Sequence, residues 1–498
     1  MPLRYRYNCW HPESVQETRA EVRETHSSVV LLLGGRAYKF KKAVDLGFLD
    51  FRRLEDRARA CRREVDLNRR IAPDVYLSTI ALKAPDDTTY EHGIAMRRMP
   101  EELRLATMIQ HGDLVDEQLC ALARLLADFH ARAARAPLIA AEGGAAGLRR
   151  RWVDNLREAE AFRGGTLPDG TFDLIRRLAL DYVDGRVELL KERADAGLSV
   201  DGHGDLLADD IFCLPDGPRV LDCLDFDDRL RWVDMLDDAA FLAMDLERLG
   251  REDLADTFMR RYTEFSGIPV VESLRHHYIA YRAFVRAKVT AIQAQQGDRS
   301  AAAQSRRCTE LSARHLRAGE VRFILIGGAP GTGKTTIATA LAARLGYVLV
   351  GTDSIRQESP LASDYSATAK AAIYRMLLER ARTALAHGES VVADATWTDQ
   401  TTRDLAVRVS AETSSPLVAF ECQAPTDLAA RRAQLRWQAG GSTSAAGARV
   451  AAMLAAARVS WPEAIALDTT GGPDQPLRAA LDALHPHVDQ HLPEVVPA

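Results

Sequence analysis

The stretch VRFILIGGAPGTGKTTIATALAARL, residues 321–345, decides the fold of the C-terminal part of the chain. Its apolar start has the composition of a buried β-strand, and TTIATALAARL has that of an α-helix. The residues between them, Gly328 to Thr335, match the P-loop pattern GxxxxGK[ST], in which backbone N–H groups and a helix N-terminus surround phosphate groups. The sequence therefore predicts a nucleotide phosphate site at a strand-to-helix turn.

The residue types of this turn predict how ATP is held. Lys334 is expected to reach the β- and γ-phosphates and to act in catalysis, and the Thr335 hydroxyl is expected to bind Mg²⁺. Lysine is scarce, since eight occur among the 65 Lys and Arg residues, so a lysine inside this pattern indicates a phosphate ligand. The predicted ATP-binding residues of the turn are Gly328, Ala329, Pro330, Gly331, Thr332, Gly333, Lys334, Thr335 and Thr336.

Strands and helices continue to alternate beyond the turn. The apolar runs YVLVGTD, SVVADAT and LVAFECQA are separated by helical segments, which is typical of a parallel sheet with crossover helices. Asp353 and Asp394 end two of these strands, where ligands bind in open α/β sheets. Asp353 is expected to accept the proton of a substrate hydroxyl, with a helix cap as the alternative. Asp394 is expected to bind Mg²⁺ or to orient water.

Three arginines in this part are candidate ligands for anions. Arg356 is expected to bind an anionic group of the substrate, with a surface side chain as the alternative. Arg432 and Arg436 are four residues apart, on one face of a helical segment. They are expected to close over the transferring phosphate, and a solvated arginine face is the alternative.

Residues from about 320 to 485 resemble the small-molecule and polynucleotide kinases among P-loop proteins. The shared features are the glycine-rich turn, the DxxR motif of Asp353 and Arg356, and the arginines of the later helix. The resemblance implies that Asp353 is the general base, that Arg356 binds the substrate, and that Arg432 or Arg436 belongs to a lid. It does not identify the phosphoryl acceptor.

The tetrapeptide HGDL occurs twice in the N-terminal part. At 111–114 it precedes a strongly amphipathic segment, and Asp113 is expected to cap that helix. At 203–206 it is followed by an apolar hairpin turning at 215–217 and by LDCLDF at 221–226. Such a hairpin can bring acidic side chains together on one metal ion or one hydroxyl. The candidates are Asp205, Asp210, Asp222 and Asp225.

Another hairpin is predicted nearer the N-terminus. The β-rich runs VVLLL and AYKFKK flank residues 34–36, Gly-Gly-Arg. Lys39 and Lys41 fall on one face of the second strand, because side chains alternate along a strand. Glu64 lies on the amphipathic segment that begins a mainly helical stretch from about 51 to 198.

Residues from about 25 to 290 resemble the aminoglycoside phosphotransferase and choline kinase-like family, whose members are related to protein kinases. The resemblance rests on the second HGDL, which the family continues as HGDLHxxN, and on an aspartate of a later strand. It implies that Asp205 is the catalytic base and that Asp210 is the first metal ligand. The second metal ligand is either Asp222, which fits the family's spacing, or Asp225, which fits its local residues.

The same resemblance implies a lysine for the ATP phosphates. Lys39 matches that lysine, Lys41 is the alternative, and Glu64 is the implied ion-pair partner. Two residues depart from the family pattern: Leu207 stands where the family has histidine, and Asp210 where it has asparagine. The missing histidine leaves a regulatory kinase-like fold without catalysis as an open alternative.

The whole arrangement resembles a family of bacterial two-part proteins, in which a kinase-like half precedes a P-loop half. We therefore predict an α+β protein-kinase-like domain over 1–292, a linker or connecting helix over 293–319, and an α/β three-layer P-loop domain over 320–498. Near the carboxyl terminus, a solvated tail is predicted to contain His485, His487 and His491.

Composition bounds the function. The net charge of −5, from 65 Lys and Arg against 70 Asp and Glu, gives no bulk attraction to nucleic acid. No apolar run reaches the ~18 residues of a membrane helix, so a cytoplasmic protein is expected. We expect a phosphotransferase that uses ATP and Mg²⁺ and acts on a small hydroxyl-bearing metabolite, such as a sugar, an amino sugar or a nucleoside. The alternative is a regulatory ATPase with a ligand-sensing, non-catalytic kinase-like half.

Overall fold

A computed structural model describes residues 20–24, 27–45, 50–361, 364, 366–438 and 460–484. The predicted histidine tail lies outside these residues. Their backbone contacts divide them into two compact units. The first unit comprises the described residues of Met1–Ile139 and Val200–Ile268, and the second those of Ala140–Ser199 and Pro269–Ala498. The domain boundaries given above follow sequence resemblance and stay a prediction.

The elements are numbered along the chain. The strands are β1 (Glu21–Glu24), β2 (Ser28–Leu33), β3 (Arg36–Lys41), β4 (Tyr76–Lys83), β5 (Thr89–Arg97), β6 (Ser199–Asp201), β7 (Ile211–Leu214), β8 (Gly217–Val220), β9 (Trp232–Asp234), β10 (Phe323–Gly327), β11 (Val348–Gly351), β12 (Val391–Asp394), β13 (Leu417–Gln423) and β14 (Ile465–Asp468). The helices are α1 (Leu54–Asn68), α2 (Leu105–His111), α3 (Asp116–Arg132), α4 (Pro137–Gly143), α5 (Ala145–Ala159), α6 (Asp169–Gly185), α7 (Val187–Asp195), α8 (Met235–Arg248), α9 (Glu252–Ser266), α10 (Glu272–Gln295), α11 (Ala301–Ala318), α12 (Lys334–Leu345), α13 (Thr352–Glu358), α14 (Ala367–Ala386), α15 (Gln400–Glu412), α16 (Thr426–Gln438) and α17 (Asp474–Leu484).

The first unit begins with a five-stranded antiparallel sheet in the order β1-β2-β3-β5-β4. The predicted hairpin of β2 and β3 is confirmed, with Leu33 paired to Arg36. Strands β4 and β5 lie inside the stretch predicted to be mainly helical, so that prediction was wrong over 76–97. The segment is rich in Tyr, Thr and Ile and is broken by the turn PDD at 85–87, in which Asp87 has a φ of 68°. These are strand and turn signals, which the longer amphipathic helices on either side obscured.

The rest of the first unit is mainly helical. Strands β7 and β8 form the hairpin predicted to turn at 215–217. After the first HGDL, α3 begins at Asp116 with Val115 in the capping position and no side-chain cap. The prediction that Asp113 caps this helix was therefore wrong. The first turn contains Asp116 and Glu117 instead, whose negative charges interact favourably with the positive end of the helix dipole.

The second unit is built on a parallel sheet in the order β11-β12-β10-β13-β14, as the alternation of strands and helices predicted. Ile324 and Ile326 of β10 are fully buried with Leu341 of α12 and Phe420 of β13. Because β10 is central, the turn that follows it emerges at the middle of the sheet's carboxyl edge. This position is where ligands bind in open parallel sheets.

The helices of residues 140–199 belong to the second unit, together with this sheet. Arg186, which is 1% exposed, donates from Nη1 to Ser415 Oγ at 3.1 Å and to the Thr413 carbonyl. A Cβ at Gly185 would overlap the same carbonyl, so this contact requires glycine. Helix α11 falls within 293–319 and packs on α10 and α6. None of the described helices is long and apolar enough to cross a membrane.

Candidate active sites

In the first unit, two lysines share one glutamate. Lys39 Nζ lies 2.8 Å from Glu64 Oε1, and Lys41 Nζ lies 2.7 Å from Glu64 Oε2. Each lysine also reaches one aspartate: Lys39 contacts Asp222 at 2.6 Å, and Lys41 contacts Asp225 at 3.0 Å. The structure therefore brings together five of the predicted residues, and both candidate lysines take part.

These ion pairs set the protonation states of their members. Burial by itself raises the pKa of Glu64, but Lys39 and Lys41 outweigh it and hold that pKa below its usual value. The charge of Lys39 lowers the pKa of Asp222. Burial also opposes the charge of Lys39, yet Asp222 and Glu64 raise its pKa well above the usual value. All three groups are charged at neutral pH, which is the state needed to bind phosphate or metal.

Asp222 and Asp225 differ in exposure and in their partners. The side chain of Asp222 is 53% exposed and that of Asp225 is 15% exposed. Lys41 holds the Asp225 carboxylate, and Arg63 Nε donates to the Asp225 carbonyl at 2.7 Å. Asp222 has a φ of 61°, and its amide donates to Tyr76 Oη at 3.1 Å. A positive φ at a residue other than glycine marks a constrained position, and here it accompanies the more exposed carboxylate.

Asp210 has the environment expected of a cation site. Burial, followed by the charges of Asp222 and Asp205, raises its pKa well above the usual value. A bound cation would remove this repulsion. Among the described residues, no three His, Cys, Asp or Glu side chains form a ready metal cage. Mg²⁺ needs only one or two protein carboxylates beside waters and phosphates, so Asp210 and Asp222 fit this ion.

The loop that contains Asp205 is bound to helix α8 by hydrogen bonds from its backbone amides. The amides of His203 and Gly204 donate to Asp238 at 2.7 and 2.8 Å, and the Ala208 amide donates to Asp245 at 2.9 Å. Asp238 and Asp245 are seven residues apart, so they lie on one face of the helix. Together they hold both ends of the turn that presents Asp205.

Asp238 is further held by His130, whose Nε2 lies 2.9 Å away. Burial opposes its charge, but the hydrogen bonds keep the pKa of Asp238 below its usual value. Burial also lowers the pKa of His203 to about 4, so its Nε2–H donates to the Leu221 carbonyl at 3.1 Å and its Nδ1 faces the Asp205 amide at 3.4 Å. Sequence reasoning missed Asp238 and Asp245. Their signal was the group of three aspartates in DDAAFLAMDL, residues 237–246, an otherwise apolar segment.

In the second unit, the predicted P-loop is present between β10 and α12. The Gly328 amide donates to the Thr396 carbonyl at 3.4 Å, and Thr332 Oγ1 donates to the Ala329 carbonyl at 2.8 Å. Gly331 has a φ of 86°, and a Cβ there would overlap the Ala429 carbonyl. Lys334 begins α12 directly after the turn, and Thr335 and Thr336 are exposed on its first turn.

The predicted acidic residues of this unit lie at the same sheet edge. Asp394 ends β12 opposite Ile326 of β10 and is buried. Asp353 lies in the first turn of α13, exposed, with Gly351 rather than Asp353 as the cap. Glu421, which sequence reasoning missed, is a buried carboxylate of β13 opposite Gly327. Asp394 and Glu421 thus flank the start of the P-loop, and Asp353 lies one strand further along the same edge.

The predicted arginines have backbone partners. Arg356 Nη1 donates to the carbonyls of Leu361 and Asp364, the latter at 2.5 Å. Arg432 Nη1 donates to the Thr469 carbonyl at 2.8 Å, and Thr469 Oγ1 donates to the Thr332 carbonyl of the P-loop at 2.6 Å. Arg432 is therefore fixed beside the P-loop. Arg436 lies on the same helix, but its side chain lies outside what the structure describes.

The loop after β12 contacts helix α14. Tyr374 Oη lies 3.0 Å from Thr396 Oγ1 and accepts from the Trp397 amide at 3.0 Å. Trp397 has a φ of 49°, which is unusual for a bulky residue. Lys370 Nζ donates to Thr398 Oγ1 at 3.4 Å. Sequence reasoning assigned no role to these residues, because nothing in the sequence shows that α14 packs against this loop.

Comparisons with known proteins agree with both folds. The profile of the phosphotransferase enzyme family matches residues 35–275, and that of an AAA domain matches residues 323–459. Uncharacterized proteins of Mycobacterium tuberculosis and Mycobacterium bovis are 42% identical over 473 residues, which cover 93% of this chain and 94% of each relative.

Solved structures of similar fold are more distant. The GDP and kanamycin complex of APH(2")-IIia is 16% identical, covering 61% of this chain and 95% of that one, with a TM-score of 0.42. A choline/ethanolamine kinase family protein of Mesorhizobium loti is 15% identical over 61% and 92%, with a TM-score of 0.37. A gluconokinase of Sinorhizobium meliloti is 18% identical over 33% and 92%, with a TM-score of 0.25.

The phosphotransferase profile and the P-loop fold of the second unit indicate a kinase. The chain belongs to the family of these mycobacterial proteins; in this chain a kinase-like phosphotransferase region precedes a P-loop kinase-like region.

Proposed function

We propose that both units transfer the γ-phosphoryl group of ATP to a hydroxyl of a small metabolite, such as a sugar, an amino sugar or a nucleoside. The observation that carries the proposal is the sheet edge of the second unit. There the P-loop with Lys334 follows β10, Asp394 ends the neighbouring strand β12, and Asp353 follows β11, the next strand along the same edge. A phosphate cradle beside an exposed carboxylate is what phosphoryl transfer to an alcohol requires.

In the second unit, the P-loop amides and Lys334 hold the phosphates of ATP. Asp353 accepts the proton of the acceptor hydroxyl, and the resulting oxygen forms a bond to the γ-phosphorus. The bond between the γ-phosphorus and the bridging oxygen breaks, and ADP leaves with that electron pair. Thr335 and Asp394 would hold Mg²⁺, which neutralises phosphate charge when bound. Arg432 and Arg436 belong to a lid that excludes water.

In the first unit, Asp205 takes the proton of the acceptor hydroxyl and Lys39 binds the ATP phosphates. Asp210 and Asp222 would hold Mg²⁺, which supplies the charge that their repulsion lacks. Asp225 serves a different purpose, because Lys41 and Arg63 bind it and thereby fix the segment that contains Asp222.

Mass-spectrometric profiling tests the proposal. The full-length protein is incubated with ATP, Mg²⁺ and a metabolite extract, beside Lys334→Ala and Asp205→Ala. New phosphorylated metabolites are expected, each lost in one of the two variants. The variants are made in the full chain, because residues 140–199 and 269–300 pack with the second unit. If ATP is consumed and no metabolite gains a phosphate, the protein is not a phosphotransferase of this class.

The alternative, a regulatory ATPase, is favoured by Leu207, a buried apolar side chain where the resembling family has histidine. Asp353→Asn separates the two functions. It should abolish phosphorylation of the acceptor if Asp353 is the base, and it should spare ATP hydrolysis if the unit is an ATPase. Asp482→Asn, on an exposed position of α17, is the matched control.

A further inference from the structure

The lysines of this chain divide into two groups by their partners. Six of the eight form ion pairs no longer than 2.8 Å: Lys39 and Lys41 with Glu64, Lys42 with Glu24, Lys83 with Asp87, Lys191 with Asp195, and Lys288 with Glu158. Within the described ranges, Lys334 and Lys370 have no carboxylate partner. Lys334 is the phosphate ligand proposed above. Lys370 is thus a second lysine whose charge no described carboxylate offsets.

Lys370 is placed in the nucleotide-binding crevice by a chain of contacts. Its Nζ reaches Thr398 Oγ1, two residues beyond Thr396, whose carbonyl accepts from the P-loop amide of Gly328. Tyr374 lies one turn further along α14. It binds the loop after β12 through Thr396 Oγ1 and the Trp397 amide. The ammonium lies 6.0 Å from the Tyr374 ring. Lys370 is half-buried, so it is both accessible and held.

The side of the P-loop on which Lys370 lies is also defined. On the β13 and β14 side, the P-loop tip is covered by Ala429 and Thr469. Lys370 lies on the opposite side, where α14 packs against β11 and β12. Asp353 follows β11 directly on that side. The proposed base and the uncompensated lysine therefore share the acceptor side of the crevice.

The charge of Lys370 indicates which kind of acceptor this crevice would bind. An ammonium that is half-buried without a counter-ion is stabilised by an anionic ligand, and it discriminates against a neutral one. Arg356 does not supply this function by itself, because Nη1 is directed to the carbonyls of Leu361 and Asp364.

We propose that the acceptor of the second unit is itself an anion, bearing a phosphate or carboxylate group in addition to its hydroxyl, and that Lys370 binds this group. This inference rests on the proposed phosphotransferase function.

The first arm of the test identifies the acceptor. The wild-type protein and Lys334→Ala are each incubated with ATP, Mg²⁺ and a metabolite extract, and the products that depend on Lys334 are identified by mass. A substrate that already carries a phosphate or carboxylate supports the inference. A neutral or cationic substrate overturns it and leaves the phosphotransferase function standing. If no product depends on Lys334, both fail.

The second arm measures kinetics with the acceptor so identified. Lys370→Gln should raise KM for the acceptor by roughly tenfold to a hundredfold, the loss of one charge-assisted hydrogen bond, with kcat nearly unchanged. Lys370→Arg should restore most of the affinity. Lys191→Gln is the control, since Lys191 is 72% exposed and paired with Asp195. An unchanged KM in Lys370→Gln, with the acceptor still bound, would show that another residue holds the anion.

Discussion

In the first unit, Lys39 and Asp222 are 183 residues apart in the sequence and 2.6 Å apart in the fold. In the second unit, eight consecutive residues, Gly328 to Thr335, form the phosphate cradle. The first site consists of charged side chains brought together by a sheet, a helix and two loops. The second consists mainly of backbone amides at one turn. The first site should therefore depend on several charged side chains, and the second on its backbone path together with the single charge of Lys334.

Removing the lysine of the backbone site should have the largest effect. Lys334→Ala should lower phosphorylation by the second unit by about a thousandfold, because the γ-phosphate loses its positive partner in the transition state. Single-turnover transfer from labelled ATP measures this loss. Lys191→Ala provides the exposed control. A loss of less than about tenfold would mean that the amides alone suffice.

The charged site should also respond to the loss of Lys41, the lysine that the proposed function does not assign to the ATP phosphates. Lys41→Met leaves Asp225 without its cation and Glu64 with one cation instead of two. Breaking such a buried pair costs about 3 kcal/mol, measured as the free energy of unfolding of the first unit in urea. Lys42→Met is the matched control, because Lys42 pairs with Glu24, an exposed glutamate. Equal effects of the two substitutions would refute the idea that Lys41 holds the segment of Asp222.

A methyl group should suffice to damage the backbone site. In Gly331→Ala, the added Cβ meets the Ala429 carbonyl and forces alanine into a φ of 86°, which costs roughly 2 kcal/mol. ATP binding by the second unit should weaken accordingly, as measured by calorimetry. Gly346→Ala is the control: it has a φ of 69° and open space around its Cβ, so it reports the backbone strain alone. If both variants bind ATP equally well, the close approach to Ala429 is not important.

The same contrast explains what the sequence could predict. The P-loop is formed by consecutive residues, so the pattern of Gly328 to Thr335 is sufficient to predict that it lies between a strand and a helix. Lys39, Glu64 and Asp222 were found through a resemblance, because no local pattern shows that residues 183 positions apart meet. The sequence left Asp222 and Asp225 as alternatives, since only the fold shows that Lys41 holds the Asp225 carboxylate and that Arg63 binds the Asp225 carbonyl.

What sequence reasoning missed depends on packing. Asp238 and Asp245 matter because backbone amides of the loop that contains Asp205 donate to them, and a sequence motif does not show the direction of an amide. Strands β4 and β5 were missed because short strands between long amphipathic helices give a weak periodic signal. Lys370 is one of the eight lysines of the sequence, yet its position depends on the packing of α14 against the loop after β12, where Tyr374 contacts Thr396.

An effect similar in size to that of Gly331→Ala is expected from acid. In the second unit, Trp152 Nε1 donates to His277 Nε2 at 2.9 Å, and burial lowers the pKa of His277 to about 3. The unfolded state takes up a proton near pH 6.5 while the folded state does not, so stability is full above that pH and is lost below it. From pH 7 to pH 5 this one group should cost about 2 kcal/mol.

In the first unit, two pKa shifts change the pH dependence of stability in opposite directions and partly cancel. Burial also lowers the pKa of His203, to about 4, but the pKa of Asp210 is raised, and a raised carboxyl pKa favours the folded state as the pH falls. Hydrogen exchange of helix α10 at pH 7 and pH 5, corrected for intrinsic rates, measures the loss in the second unit. His277→Gln keeps an acceptor for Trp152 and should remove most of the pH dependence, whereas His111→Gln, at an exposed position of α2, should leave it unchanged. If His277→Gln kept the full pH dependence, another group would have to carry it, because a glutamine cannot take up the proton.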